Sequence, residues 1–208
     1  PLNKRQLQAE ANLEQRDDIP VIGMVSRLVQ QKGLDLALPA LRTILAKHDV
    51  QFIGLGSGEP EYNEMFFRLG ADFHWKAKCF LGYNATVAQR IYSGCDIFLM
   101  PSHFEPCGIG QMIAMRYGAL PLVRETGGLA DTVMNYDDGP ADFGTGFVFN
   151  WEDPQALVGT LDWALWTYRN RKPAWQRMQE RAMRVDFSWD KSAREYNSLY
   201  TWIQDRHK

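Results

Sequence analysis

The run Asp96-Ile97-Phe98-Leu99-Met100-Pro101-Ser102-His103-Phe104-Glu105-Pro106-Cys107-Gly108-Ile109-Gly110-Gln111 holds a complete strand-to-helix transition. Asp96 to Met100 is apolar enough for a buried strand, and a short polar turn with one carboxylate, Glu105, follows it. Gly108 then opens a helix. Backbone N–H groups at such a helix start face anions, and the helix dipole favours negative charge there. Glu105 falls at the carboxyl edge of its strand, where open α/β sheets place their ligands.

The same alternation continues on both sides, which marks βαβ units and a parallel sheet. Towards the amino end, Val21 to Ser26 reads as a strand and Leu34 to Lys47 as a helix, with Leu34, Leu38, Leu41, Ile44 and Leu45 at helical spacing. Val50 to Leu55 is the next strand. A Gly-Ser-Gly loop, a helix from Pro60 to Leu69, a strand Lys78 to Leu81 and a helix Thr86 to Ser93 follow it. Beyond the central run come a helix to Tyr117 with Met112, Ile113 and Met115 buried, a strand Ala119 to Val123, a helix Gly128 to Met134 and a strand Gly146 to Phe149. From Pro154 the pattern is helical only, with Leu157, Leu161, Leu165 and Tyr168 on one face and two further helices over 174–185 and 188–204. Six of the seven Trp lie between Trp151 and Trp202, so this tail needs a surface to pack on. The expected architecture is α/β: a Rossmann-like parallel sheet flanked by helices over residues 1–150, with a C-terminal helical extension over 151–208.

Composition limits the function. At 208 residues, 45% hydrophobic and 23% charged, the chain has the length and make-up for a globular core. A formal net charge of −2 with scattered basic residues leaves no nucleic-acid or membrane-surface footprint. No apolar run approaches the roughly 20 residues of a membrane helix. Cys79, Cys95 and Cys107 match no metal-ligand or CxxC spacing and read as reduced thiols of a cytosol-like compartment. His48, His74, His103 and His207 are too dispersed for a metal cluster. The chain opens at Pro1 in a polar segment, without an initiating Met or signal peptide, and reads as a fragment.

Several loops at the expected ligand edge carry chemistry, each with a plainer reading beside it. Arg27, directly after the first strand, offers a planar fork for phosphate oxygens, and Lys32 a point charge nearby. The plainer reading is a solvated basic loop. Gly56-Ser57-Gly58 lacks the third glycine of a dinucleotide fingerprint, which argues against a dinucleotide oxidoreductase. Tyr83, after the third strand, offers a ring for a base to stack on, or packs. Thr126, Gly127 and Gly128 form a second anion cradle or a close helix–sheet contact that requires glycine. Glu105 accepts hydrogen bonds from sugar hydroxyls and steadies positive charge at a reacting carbon, or is a surface acid near a helix N-terminus. A Cys107–His103 nucleophile pair lacks an orienting third partner in the sequence. Together these groups point to an enzyme that holds a nucleotide sugar.

Taken together, Ser26-Arg27-Leu28, Gln31-Lys32-Gly33-Leu34-Asp35, Phe104-Glu105-Pro106-Cys107-Gly108, Gln111-Met112-Ile113-Ala114-Met115-Arg116-Tyr117-Gly118, Leu122 to Val133 and Asp186-Phe187-Ser188-Trp189 resemble bacterial glycogen synthase and plant starch synthase. The resemblance covers almost the whole chain, in family order and spacing. It implies the C-terminal half of a GT-B glucosyltransferase, which moves glucose from ADP-glucose to the non-reducing end of an α-1,4-glucan with retention. It implies no metal and no other cofactor, an acceptor bound through an absent N-terminal domain, and a cytoplasmic location (plastid in a plant or alga). Carried over by position, Arg27 and Lys32 match the basic pair on the donor diphosphate, and Glu105 the acid beside the donor glucose. Tyr83 matches the aromatic on adenine. Gly108, Ile109 and Gly110 match the helix start on phosphate and ribose, with Thr126, Gly127 and Gly128 nearby. The family's Gly-Leu-Thr-Gln is here Gly108-Ile109-Gly110-Gln111, which removes a side-chain hydroxyl at 110. Ile113 stands where sucrose and trehalose-phosphate synthases often carry a second acid, which favours the glycogen and starch synthases. The alternative is a free-standing nucleotide-sugar-binding module without catalysis.

Overall fold

A computed structural model describes residues 2–137, 139 and 143–206; Pro1 and His207 lie outside them. From the amino end the elements are α1 (Leu2–Glu10), β1 (Val21–Leu28), a 3-10 turn (Gln30–Lys32), α2 (Leu34–Lys47), β2 (Gln51–Gly58), α3 (Pro60–Asp72), β3 (Ala77–Leu81) and α4 (Ala85–Gly94). Then come β4 (Ile97–Met100), α5 (Gly110–Tyr117), β5 (Leu120–Arg124), α6 (Gly127–Thr132), β6 (Phe147–Phe149), α7 (Pro154–Asn170), α8 (Lys172–Arg184) and α9 (Trp189–Arg206). The described strands form one parallel sheet of order β3-β2-β1-β4-β5-β6. The chain order reverses between β1 and β4, and a crevice opens there at the carboxyl ends of the strands.

Parallel strands covered on both faces read as near-continuous apolar runs. Val21, Ile22 and Met24 of β1 and Ile97, Phe98 and Leu99 of β4 are accordingly buried. On one face of the sheet Leu38, Leu41, Phe52, Leu122, Leu161 and Trp175 share a core fed by α2, α3, α7 and α8. On the other, Leu7, Ile53, Ile91, Phe98 and Ala114 join α1, α4 and α5. Thus α7 and α8 belong to the sheet's own core, whereas α9 buries none of its residues. The Asp153 carboxylate starts α7 by accepting a 3.2 Å hydrogen bond from the Gln155 amide.

Four expectations change. Strands β1 and β2 run on to Leu28 and Gly58, so Arg27 sits in the strand opposite Ser57, and the expected Gly-Ser-Gly loop is strand. The glycines permit it: a Cβ on Gly56 would lie 2.3 Å from the Ser26 carbonyl, and one on Gly58 2.2 Å from that of Leu28. Helix α5 starts at Gly110, because Gly108 adopts φ +70°, a left-handed turn conformation. Met112 and Ile113 are half-buried, and Gln111, Ala114 and Met115 take the inner face instead. Finally, the polar N-terminal segment is helix α1, anchored by a buried lysine. Lys4 Nζ donates to Asp96 Oδ2 at 2.7 Å, to the Tyr168 hydroxyl at 3.0 Å and to the Asp17 carbonyl at 3.1 Å. Asp96 Oδ2 also accepts from the Val21 amide at 2.8 Å, which ties α1 and α7 to the amino ends of β1 and β4.

Candidate active site

The crevice at the reversal is built by two turns pressed together. After β1 the chain makes its 3-10 turn and meets Gly33 at φ +69°, where a Cβ would stand 2.0 Å from the Pro101 carbonyl at the end of β4. Only glycine fits so close an approach. Lys32 is thereby brought beside the turn that follows β4, and its Nζ lies 2.5 Å from Glu105 Oε2. The Ser102 hydroxyl donates to the same oxygen at 3.2 Å. Glu105 is only 7% exposed, and both of these donors meet one oxygen of its carboxylate.

The next turn supplies an anion-facing helix start. Gln111 Nε2 donates to the carbonyls of Cys107 at 3.2 Å and Gly108 at 3.0 Å, holding the segment that leads into α5. The first amides of a helix have no acceptor within it. A cleft of about 200 Å³ lies here, lined among others by Ser26, Arg27, Lys32, Glu105 and Gly108, Ile109 and Gly110. A second hollow of about 240 Å³ shares Val25, Ser26 and Arg27 with it and extends past Ser57 to Gly82 and Tyr83. Tyr83 is 93% exposed, so its ring presents a free face at the far end. Arg27 Nη2 lies 3.4 Å from Gln31 Oε1, with its guanidinium otherwise open to solvent. The trough therefore runs from an exposed aromatic, past two cations, to a carboxylate and a helix start. Such a row offers a ring face, cationic and amide donors for an anion, and a carboxylate acceptor.

Thr126, Gly127 and Gly128 line neither hollow. They back the turn from behind: the Gly128 amide donates to the Glu105 carbonyl at 2.9 Å, and a Cβ on Gly128 would lie 1.9 Å from the Cys107 carbonyl. The close contact that requires glycine is what the geometry displays. The Cys107–His103 pair does not form, because both ring nitrogens of His103 face carboxylates and the exposed Cys107 thiol is 3.6 Å from the Gly108 carbonyl. Sequence reading passed over Ser102, Gln31, Arg124 and Tyr92. Ser102 stands in the quoted turn and was findable there; Tyr92 comes from α4, with no local signal. Burial pushes the Tyr92 phenol up to about 12, so at neutral pH it lines the cleft as a protonated hydroxyl. Among the described residues no group of three or more His, Cys, Asp or Glu could hold a metal ion, and no helix is long and apolar enough to cross a membrane.

Comparison with known proteins follows the same lines. Residues 6–183 match the family Glycosyl transferases group 1. A glycogen synthase of Moorella thermoacetica is 49% identical over 198 residues, which are 95% of this chain and 40% of that protein. One of Bacillus cereus strain Q1 is 46% identical over 203 residues, 98% of this chain and 42% of that protein. The chain thus spans about 40% of the length of the curated relatives it matches. Among solved structures, the catalytic domain of starch synthase IV from Arabidopsis thaliana bound to ADP and acarbose is 38% identical with a TM-score of 0.87, covering 96% of this chain and 42% of that one. Sucrose-phosphate synthase from Thermosynechococcus elongatus, at 21% identity and a TM-score of 0.68 over 97% of this chain and 49% of that one, shares the fold.

Proposed function

The chain belongs to the group 1 glycosyl transferases, and we propose that within that family it is the donor-binding, C-terminal part of a glycogen or starch synthase acting in the cytoplasm. The parent enzyme transfers glucose from ADP-glucose to the non-reducing end of an α-1,4-glucan with retention. The observation that carries this is the Lys32–Glu105 pair at the chain reversal, in one cleft with Arg27 and the Gly108–Gly110 helix start. ADP named in the starch synthase IV structure supports the nucleotide.

Arg27, Lys32 and the amides opening α5 neutralise the diphosphate as it leaves. Glu105, held by Lys32 and Ser102, stands beside the hexose and steadies positive charge at the reacting carbon. Tyr83 stacks on adenine. Gly110 contributes its amide alone, because it has no hydroxyl. Thr126, Gly127 and Gly128 shape the turn without touching the donor. The acceptor hydroxyl must be held against the anomeric carbon, and such proximity supplies about 7–11 kcal/mol of a barrier. We assign that task to an N-terminal domain. The apolar side chains that α9 leaves exposed, Trp189, Tyr196, Tyr200 and Trp202 among them, suit packing against it. The relatives' names favour this reading over a free-standing binding module.

Calorimetric titration of the 208-residue chain with ADP, ADP-glucose and UDP-glucose is the test. The expected result is weak binding of ADP and ADP-glucose, with UDP-glucose weaker still, and negligible incorporation of labelled glucose into glycogen. Incorporation at the parent enzyme's rate, or no binding of any nucleotide, would overturn it.

A further inference from the structure

We propose that Tyr92 binds the nucleotide sugar directly, its hydroxyl donating a hydrogen bond to a phosphate oxygen beside the Gly110 amide; this rests on the donor-site reading above. Tyr92 stands on α4, in none of the turns at the strand ends. It nevertheless lines the same cleft as Arg27, Lys32, Glu105 and the Gly108–Gly110 helix start. Its ring has a packing role, with its centroid 4.7 Å from that of Phe98 in β4 and an interplanar angle of 37°. A phenylalanine would pack there as well, so the hydroxyl is what packing leaves unexplained. Among the described residues nothing accepts a hydrogen bond from it, and its oxygen is not sealed from solvent. A tyrosine hydroxyl in so enclosed a place ordinarily has a partner.

The helix start makes room for this hydroxyl. A Cβ on Gly110 would stand 3.3 Å from the Tyr92 oxygen, 3.2 Å from Phe98 Cε1 and 3.3 Å from Met100 Sδ. The backbone at Gly110 is not left-handed, so its conformation does not require glycine; the space does. With no side chain at 110, the phenol comes close to the first residue of α5, whose amide has no acceptor within the helix. A side-chain O–H and a backbone N–H are thus neighbours in the cleft wall, which Arg27 and Lys32 share. Donors gathered without acceptors of their own suit an oxygen-rich anion. The phenol is protonated at neutral pH, because burial raises it, so it donates to such an anion instead of repelling it. Among the described residues Glu105 is the one carboxylate lining the cleft, and its side-chain donors are Lys32 and Ser102, not Tyr92.

The test is calorimetric titration of the wild-type chain and Tyr92→Phe with ADP and with adenosine at neutral pH. Phenylalanine keeps the ring on Phe98 and removes only an oxygen that has no protein partner to lose. The thermal midpoint of Tyr92→Phe is therefore expected to stay within about 2 °C of wild type. ADP is expected to bind the variant about tenfold more weakly, as when a hydrogen bond to a charged group is lost, while adenosine, without a phosphate, changes by less than about twofold. A merely structural hydroxyl would lower the midpoint and weaken both ligands alike, and that result would overturn the proposal. ADP affinity of Tyr92→Phe within about twofold of wild type would also overturn it, while leaving the donor-site reading in place. If the wild-type chain binds no ADP, the donor-site reading itself fails, and the assignment of Tyr92 falls with it.

Discussion

Two lysine–carboxylate pairs sit at opposite ends of the same two strands. Lys4–Asp96 closes the amino ends of β1 and β4, and Lys32–Glu105 stands at their carboxyl ends. Lys4 Nζ has three acceptors, and Asp96 Oδ2 takes a backbone amide besides the lysine. Every donor of that ammonium is used. Among the described residues Lys32 Nζ has one acceptor, and the Ser102 hydroxyl is the other side-chain donor to Glu105. The same ion pair is thus scaffold where its hydrogen bonds are complete, and part of the proposed donor site where donors are left facing a cleft. Size would have misled here: the groove beside Lys4 is about 460 Å³ and the one at Met112, Ile113 and Phe187 about 600 Å³, both larger than the cleft at Glu105. Unspent hydrogen-bonding capacity distinguishes the site.

The largest effect expected from this contrast is on nucleotide binding. Lys4→Met and Lys32→Met each strand a carboxylate of low exposure, Asp96 and Glu105, and should each destabilise the fold by about 3–5 kcal/mol in urea unfolding, but only Lys32→Met should remove ADP binding by the folded chain, Lys4→Met leaving it within about twofold. Equal losses of binding would erase the distinction. A pH signature accompanies it. Burial works against the Lys4 ammonium, but Asp96 and Tyr168 outweigh it and hold its pKa above the ordinary lysine value. Stability from that pair is fully present below the unfolded lysine value of about 10.4 and is lost as pH rises through the folded one. Wild type should therefore show an alkaline loss of thermal midpoint that Lys4→Met lacks.

Catalysis should separate the pairs next. In a full-length parent enzyme, Glu105→Ala is expected to cut turnover by about 10² or more while donor affinity changes by a few-fold. Turnover within a few-fold of wild type would remove Glu105 from the chemistry. Tyr83→Ala, at a side chain exposed enough to leave stability untouched, should weaken ADP by about 1–3 kcal/mol, the usual worth of a stacked base.

The smallest effect concerns the cysteines beside the two pairs. Cys95 adjoins Asp96 and is buried, which pushes its thiol up; burial likewise lifts Cys79 to about 12. Cys107, two residues from Glu105, is exposed. A disulfide reagent at about pH 8 should label one thiol rapidly in the folded chain and the other two only after unfolding. Rapid labelling of Cys95 would mean that the amino end is as open as the carboxyl end.

How much of this was legible in the sequence follows the same contrast. The strands, the helices from α2 onward and the Glu105 turn were readable because each is a local pattern of apolar spacing and glycine. Gly56 and Gly58 misled, since their purpose is close approach to Ser26 and Leu28 across the sheet rather than a turn. Helix α1 was missed because its inward face is Lys4, Leu7 and Gln8, two of them polar, and the partner that makes Lys4 tolerable lies 92 residues on. At the site, the cations and the carboxylate were legible as residue types at strand ends. The bonds that hold them, from Gln31 to the Phe104 carbonyl, from Arg124 to the Ser102 carbonyl and between His103 and Asp35, were not, for they join residues distant in sequence, 68 positions apart for Asp35 and His103. Sequence motifs name the groups that meet a ligand; long-range packing positions them, and that appears only in the fold.

The most direct check is to follow backbone amide shifts of nitrogen-15-labelled chain as ADP is added. Shifts concentrated at Arg27, Lys32, Tyr83, Ile109 and Gly110 are predicted. Shifts concentrated instead around Ser93, Asp96 and Gly118 at the amino ends of the strands, or none at all at saturating ADP, would contradict the account.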